Sequence, residues 1–214
     1  MKTSFVCLAN SFKEGGRCIA GIELSTSGLP IIQNGEPKWI RPVSNDGHGE
    51  VPTHLVSHIN ILDIVEIDII DSIPDGFQAE NVSFDPNSLR VIGRYSTDQL
   101  TNLCNANLQT LFGNRGGAVT PDNALNLNYS LAMIEPVQPQ IVEKIYEGSN
   151  SPKLRLSFTF NNIRYELPIT DPIFLNQYKT NKNILVDKNL LLSISLGVVH
   201  ENWHSKLVAG IIIK

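Results

Sequence analysis

The chain has 214 residues, of which 42% are hydrophobic and 18% are charged. This composition allows a buried core and excludes a disordered chain, and the length fits one large domain or two of about 100 residues each. The formal net charge of −4 argues against a protein that coats nucleic acid electrostatically.

The sequence predicts a cytoplasmic protein without membrane association. The first residues lack the charged and apolar regions of a signal peptide, and no apolar run approaches the roughly 18 residues of a membrane span. The three cysteines, Cys7, Cys18 and Cys104, are scattered and odd in number, which is typical of reduced thiols.

The first predicted elements are two β-strands joined by a long polar loop. Residues 4–9 and 18–24 are apolar and rich in β-branched side chains, which predicts a hairpin. Glycines in such a loop let backbone N–H groups turn toward an anion, and cations on either side add charge. The predicted ligand-binding residues of this loop are Asn10, Ser11, Lys13, Gly15, Gly16 and Arg17. The alternative is a hairpin loop that needs its glycines for the turn and carries a solvated arginine.

A third short strand is predicted over residues 38–43, ending at Pro42. Trp39 lies between two cations, Lys38 and Arg41, and Ser44 follows the strand. An aromatic ring flanked by cations is typical of a platform that stacks a base and contacts phosphate. We therefore predict Trp39, Arg41 and Ser44 as ligand-binding residues. Burial of Trp39 in the core is the alternative.

The next strand is predicted from the strict alternation of residues 65–69. Further along, Gln78, Glu80 and Asn81 form a polar cluster that could read a base edge, because amide side chains supply a donor and an acceptor together. We predict Gln78 and Asn81 as ligand-binding residues. Loop capping is the alternative explanation of the cluster.

A change of period over residues 98–112 predicts a helix. Its apolar residues fall on one helical face, with Asp98 as N-cap and Gly113 as C-cap. A short helix is predicted at Thr120-Pro121 within an irregular stretch over residues 113–133.

The second half reads as β structure. Residues 153–160 and 163–169 alternate polar and apolar on either side of Asn161-Asn162, which predicts a tight hairpin. Asp171-Pro172 predicts a turn or short helix, and residues 190–199 and 206–213 complete the sheet. Residues 138–214 carry a balance of +3, whereas residues 1–100 carry −6.

These elements predict a mainly β fold of two small barrels. The expected boundaries are residues 1–95 for the first barrel, 96–135 for a helical and irregular connector, and 136–214 for the second barrel. Alanine and glycine inside the strands favour the sharp curvature of small barrels.

Catalytic and metal-binding motifs are absent from the sequence. His54 and His58 have helix-compatible ligand spacing, as do His200 and His204, but no His-Glu-x-x-His or Cys-x-x-Cys accompanies them. There is no P-loop, Gly-x-Ser-x-Gly or Gly-x-Gly-x-x-Gly. The prediction is therefore a protein that is not an enzyme, with no catalytic residues, metal or cofactor. A hydrolase that uses His48 and Glu50 is the weaker alternative.

Several short motifs occur in a fixed order along nearly the whole chain. They are residues 10–21 (NSFKEGGRCIAG), 39–44 (WIRPVS), 49–50 (GE), 62–67 (LDIVEI), 78–81 (QAEN), 195–197 (SLG) and 206–210 (KLVAG). In this combination the sequence resembles a prokaryotic family, the dual OB-containing domain. The resemblance implies two OB-like β-barrels, an association with bacterial conflict and phage-defence genes, and recognition of nucleic acid or nucleotide-derived ligands.

The predicted function is non-catalytic binding of nucleic acid or a nucleotide-like ligand, as a sensor or adaptor in a bacterial defence system. The alternative is a protein–protein interaction module that binds a toxin or effector partner without nucleic acid. The acidic first half favours this alternative.

Overall fold

A computed structural model describes residues 1–13, 15–44, 49–105, 107–148 and 151–214. The chain divides into two compact units, Met1–Ala106 and Asn107–Lys214. Residues 96–135, predicted as a connector, are divided between the two units. The mainly β fold predicted from the sequence is confirmed.

The first unit contains β-strands and short helical turns. Its strands are β1 (Lys2–Lys13), β2 (Gly16–Leu24), β3 (Ile32–Gln33), β4 (Glu36–Pro37), β5 (Trp39–Val43), β6 (Asp63–Ser72), β7 (Asn81–Phe84) and β8 (Arg90–Arg94). Its helical segments are α1 (Thr53–Val56) and the 3-10 turns Pro86–Ser88 and Thr97–Leu103.

Five of these strands close into a barrel. β1 pairs with β2 and β6, β2 pairs with β5, and β7 joins β5 to β6. The β5–β7 pairing is parallel, and the others are antiparallel. This closed five-stranded arrangement is that of an OB barrel, in which closure removes exposed strand edges.

The barrel interior is filled by apolar residues at alternate positions along the strands. Val65 and Ile67 are fully buried on β6, as the alternation of that segment predicted. They pack with Phe5, Ile19 and Ile40 from three other strands in one core cluster. Burial of apolar surface of this kind is the main stabilising term of the unit.

The first hairpin differs from its prediction in the loop. β1 extends through residues 10–13, and Lys13 is the register partner of Gly16, so the strand pairing continues well into the segment predicted as a loop. The polar residues Asn10 and Ser11 are therefore strand residues and are buried. The continuation of β1 could not be predicted from the sequence, because polar residues such as these are typical of loops and not of buried strands.

The second unit has its own strands and helices. They are the 3-10 turn Leu111–Gly113, β9 (Ala118–Val119), α2 (Pro121–Ala124), β10 (Leu131–Ile134), β11 (Val137–Lys144), β12 (Lys153–Phe160), β13 (Ile163–Pro168), α3 (Pro172–Thr180), β14 (Leu190–His200) and β15 (Trp203–Ile213).

The strand pairing of the second unit follows the same order as that of the first. β11, β12 and β13 form one sheet, and β10, β14, β15 and β9 form a half-barrel sheet. A parallel bridge between Ile169 and Val208 links the end of β13 to β15. β10 and β11, which are two residues apart, together correspond to the first strand of a barrel. Along the chain, α3 lies between β13 and β14, which correspond to the third and fourth strands.

Several local predictions for the second unit are confirmed. β12 and β13 form a hairpin with Asn161 and Asn162 at positive φ in its turn. Asp171 caps α3 by accepting hydrogen bonds from the backbone N–H groups of Ile173 and Phe174. Thr120 caps α2, which begins at Pro121.

The prediction of a helix over residues 98–112 is wrong. The segment instead contains the 3-10 turns Thr97–Leu103 and Leu111–Gly113. Its apolar residues do become buried, but Leu100 and Leu103 belong to the first unit whereas Leu111 and Phe112 belong to the second. A helical period therefore arose by coincidence from two separate cores. Over the described chain, the helices are too short or too polar to cross a membrane.

Candidate functional site

The outer side of the first barrel carries a polar face at β5. Ile40 packs into the core cluster, so by strand alternation Trp39 and Arg41 point to the opposite side. The register partner of Arg41 on β7 is Asn81, whose neighbour Val82 packs against the core. This polar face, called here the Arg41 face, consists of Lys13, Trp39, Arg41, Gln78, Glu80 and Asn81.

A buried ion pair lies at the centre of the Arg41 face. Arg41 Nη2 is 3.1 Å from Glu80 Oε1, and the two side chains are only 3% and 6% exposed. The backbone N–H of Arg41 also donates to the carbonyl of Glu80 at 2.9 Å. Since an isolated buried charge is costly, the Glu80 carboxylate offsets part of the cost of burying the Arg41 guanidinium.

Asn81 and Gln78 are joined to each other on this face. Asn81 Nδ2 donates a hydrogen bond to Gln78 Oε1 at 3.2 Å, and both residues are buried. The Asn81 Oδ1 atom is buried without a hydrogen-bond partner in the described chain. A buried acceptor without a donor is uncommon and is usually satisfied by water or a ligand.

Trp39 is half-buried at the start of β5. Its register partner is Ile22 on β2. The indole Nε1–H is buried and, within the described part of the chain, makes no hydrogen bond. Trp39 therefore combines an apolar ring surface with a buried donor that is unused in the described chain.

Lys13 enters the Arg41 face from the end of β1. Burial lowers the pKa of the Lys13 ammonium; Cys18, Glu50 and Asp75 oppose this change, whereas Arg41 adds to it. A Cβ atom on Gly49 would lie 3.6 Å from Lys13 Nζ, so Gly49 also lies beside this lysine. Cations and carboxylates thus meet at one end of the barrel.

Two other predicted residues lie on the opposite side of the β1–β2 hairpin. Asn10 Nδ2 donates hydrogen bonds to the carbonyls of Val56 and Ile59, both at 2.8 Å, and so ties β1 to the end of α1. Arg17 lies over the ring of Phe12, with 4.6 Å between the guanidinium carbon and the ring centroid. The structure therefore separates these residues from Arg41.

The two glycines of the turn have conformational reasons for their presence. Gly15 has a φ of +77°, which favours glycine. A Cβ atom on Gly16 would lie 2.6 Å from the Val51 carbonyl oxygen, too close for any larger residue. The alternative interpretation of a turn that requires glycine thus has direct structural support.

The remaining predicted residues occupy less informative positions. Ser11 is buried and its register partner is Cys18, while Ser44 is half-buried directly after β5. Glu14 and His48 lie outside the described residues, and so does the alternative hydrolytic site of His48 with Glu50. In the described ranges there is no group of three or more His, Cys, Asp or Glu side chains that could hold a metal ion.

The second unit contains a fully buried lysine. Lys206 Nζ donates hydrogen bonds to the Leu111 carbonyl at 2.6 Å, the Asn114 carbonyl at 3.0 Å and Asn114 Oδ1 at 2.7 Å. It also lies 5.3 Å from the centroid of the Tyr165 ring. Burial lowers the pKa of Lys206 to about 8. Three acceptors match the three N–H groups of an ammonium, so Lys206 fixes the segment around Leu111.

Sequence reasoning named Glu80 and Glu50 but missed the charge interactions that the acidic residues make in the site. Glu80 holds Arg41, and the charges of Glu50 and Asp75 act on Lys13. Their roles depend on the pairing of β5 with β7 and on the return of the chain past β6, which no local pattern reveals. Sequence reasoning also missed a basic surface on β12 and β13. Its residues occupy the polar positions in the alternating pattern of these two strands.

Comparison with known proteins agrees with the two-barrel architecture. No curated protein matches the chain significantly. The family model of the dual OB-containing domain matches residues 3–211, nearly the whole chain. The protein therefore belongs to the dual OB-containing domain family.

Proposed function

We propose that the Arg41 face binds the base and phosphate of a nucleotide or of a nucleic-acid strand, without catalysing a reaction. The observation that carries the proposal is the pair of buried polar atoms, Trp39 Nε1 and Asn81 Oδ1, that have no partner in the described chain. One is a donor and the other an acceptor. A nucleobase edge presents acceptors and donors side by side and can satisfy both.

The position of the face in the fold supports the proposal. OB barrels bind oligonucleotides on the outer face of their second and third strands and in the adjoining loops. In the first unit these strands are β2 and β5, and Trp39 and Arg41 lie on β5. Gln78 belongs to the loop between β6 and β7, which corresponds to the loop between the fourth and fifth barrel strands.

The charge of the first unit limits the kind of binding that is expected. Residues 1–106 hold seven Lys or Arg against thirteen Asp or Glu, a balance of −6. A strong phosphate field is therefore absent from this unit as a whole. Recognition relies on Lys13 and on hydrogen bonds to the edge of one base, and the ring face of Trp39 can stack only on a different base of the strand. Stacking contributes roughly 1–3 kcal/mol per base, so the predicted affinity for a single nucleotide is modest.

Equilibrium titration with mononucleotides and with labelled single-stranded and double-stranded oligonucleotides tests the proposal. We expect binding that is weakened by Lys13→Gln and that distinguishes among the four bases, because the contacts include a base edge. The exposed Lys2 supplies a matched control, since Lys2→Gln makes the same change of charge outside the face. Absence of binding to every nucleotide and oligonucleotide at low salt would overturn the proposal.

The proposal assigns ligand binding and no catalysis to the Arg41 face. A protein that binds a ligand without changing it acts as a sensor or adaptor. A role in bacterial defence and a cytoplasmic location remain predictions from the sequence. Sequencing of nucleic acid that copurifies with the native protein, with and without Lys13→Gln, would test whether the ligand is a polymer.

A further inference from the structure

We propose that the outer side of the sheet β11–β12–β13 in the second unit is a second binding surface, which holds the phosphodiester backbone of a single-stranded nucleic acid. This surface, called here the basic face, consists of Lys144, Tyr146, Lys153, Arg155, Arg164 and Glu166. The inference goes beyond the proposed function, because it concerns a different barrel and does not require a ligand on the Arg41 face.

Strand alternation separates the basic face from the core of the second unit. Leu156 and Phe158 on β12, with Tyr165 and Leu167 on β13, are buried on the inner side. The intervening residues therefore point outward. On β12 these are Lys153 and Arg155, and on β13 they are Arg164 and Glu166. In the antiparallel register Glu166 lies opposite Ser157 and Arg164 lies opposite Thr159, so all four side chains are on the same side of the sheet.

The basic face carries four cations around one carboxylate. Glu166 Oε1 accepts from Arg155 Nε at 2.8 Å and lies 2.5 Å from Lys144 Nζ. Arg164 Nε instead donates to the neutral Ser157 Oγ at 2.9 Å. Among the residues that the structure describes, neither Arg164 nor Lys153 has an acidic partner, and both are exposed. The net charge of these five side chains is +3, on a protein whose overall charge is −4.

The two arginines are held in place before any ligand arrives. Arg155 is fixed by Glu166 and by the Tyr146 hydroxyl, which accepts from Nη1 at 3.3 Å. Arg164 is fixed by Ser157. A planar guanidinium in a fixed position loses less freedom when it binds phosphate than a mobile lysine does. Fixed orientation favours specific phosphate contacts over diffuse attraction.

An aromatic ring adjoins these cations. Tyr146 is 46% exposed and is joined to Arg155 through its hydroxyl group. Aromatic rings beside a basic strand surface are the usual means by which proteins bind single strands without sequence preference. An acidic peptide would use the cations but would leave the ring unused, so the observations favour a nucleic-acid strand.

Fluorescence anisotropy of a labelled oligothymidylate of about 12 nucleotides, over a salt series, tests the inference. The double variant Lys153→Gln/Arg164→Gln removes two phosphate contacts. The slope of log K against log salt should therefore become shallower by about 1.4, with an affinity loss of at least about fivefold at low salt. The matched control is Lys179→Gln/Lys188→Gln, which removes two exposed charges of the same unit outside the basic face and should leave the slope unchanged.

Glu166→Gln provides an independent test with the opposite sign. It removes the one carboxylate of the basic face while keeping its size, so the affinity for the oligonucleotide should rise several-fold. A merely structural role for Glu166 would not increase binding.

Three results would overturn the inference. The first is an unchanged salt slope in Lys153→Gln/Arg164→Gln, and the second is weaker binding in Glu166→Gln. The third is an oligoglutamate that binds as tightly as the oligonucleotide and displaces it. Mononucleotide binding at the Arg41 face should be the same in all these variants. Failure of the basic face is thus distinguishable from failure of the proposed function, which would abolish mononucleotide binding in the unmodified protein.

Discussion

Arg41 and Glu80 form an ion pair that is almost completely buried, with 3.1 Å between Nη2 and Oε1. The pair joins β5 to the residue that precedes β7, at the parallel step of the first barrel. Because both charges are removed from water, each depends on the other for its stability. The ion pair therefore holds the Arg41 face in shape, whether or not Arg41 also contacts a ligand.

Glu80→Gln is expected to lower the free energy of unfolding by about 3 kcal/mol, since it leaves the Arg41 charge buried without its carboxylate. Urea denaturation measures the change. Glu66→Gln is the control, because Glu66 pairs with Lys2 and Arg90 at the surface and its loss should have a much smaller effect. Equal losses in the two variants would contradict a special role for the buried pair.

Trp39→Phe should leave stability nearly unchanged and weaken ligand binding about tenfold. The substitution keeps an aromatic ring and removes an N–H group that has no partner in the described chain, so no intramolecular hydrogen bond is lost. Affinity would fall if this N–H donates to the ligand. Trp203→Phe, the same change at a half-exposed position of the second unit, serves as the control. Unaltered affinity in Trp39→Phe would show that the indole N–H does not contact the ligand.

Lys206 should make the second unit more stable as the pH rises from 7.5 to 10. Its pKa in the folded protein is about 8, below the ordinary value of 10.5. Between these values the unfolded chain binds the proton and the folded chain does not, so the free energy of unfolding increases with pH. The expected increase is about 2 kcal/mol relative to Lys206→Met.

Chemical denaturation of the unmodified protein and Lys206→Met at both pH values measures this difference and cancels the titration of other groups. Parallel pH profiles for the two proteins would show that burial does not lower the pKa of Lys206. Lys206→Met is itself expected to be destabilising at neutral pH, because the carbonyl groups of Leu111 and Asn114 lose their donor.

Gly21→Ala should destabilise the first barrel by about 3 kcal/mol, as overpacking of a closed core does. A Cβ atom there would lie 1.9 Å from the Val6 carbonyl oxygen and 2.7 Å from Phe5 Cδ2. Gly93→Ala is the matched control, because its Cβ would meet only Ile64 Cδ1 at an ordinary 3.7 Å. Thermal denaturation of both variants gives the comparison, and equal midpoints would mean that β1 and β2 do not approach as closely as described.

The strands were predictable where one face is polar and the other is apolar. β12 and β13 alternate in sequence as they do in space, and the two asparagines at positive φ mark their turn. β1 was only half predictable. Its continuation through Asn10 and Ser11 is polar but buried, because Asn10 holds the carbonyls of Val56 and Ile59. No local pattern predicts partners that lie 46 and 49 residues away.

The candidate site was predictable in composition but not in arrangement. The sequence singled out Lys13, Trp39, Arg41, Gln78 and Asn81, and the register of β5 with β7 brings Arg41 beside Asn81. Arg17 had the same appearance in the sequence, yet it lies over Phe12 on the other side of the hairpin. Which side of a strand faces the site depends on long-range register, and a shift of one residue reverses it.

The central claim, that the Arg41 face binds a nucleotide or a nucleic-acid base, is tested most directly by the fluorescence of Trp39. The sequence has two tryptophans, so Trp203→Phe leaves Trp39 as the only one. Titration of this variant with mononucleotides and oligonucleotides should quench or shift the Trp39 emission in a saturable manner, and Lys13→Gln should weaken the effect. Saturable binding detected by calorimetry with no change in Trp39 emission, or no binding at all, would contradict the claim.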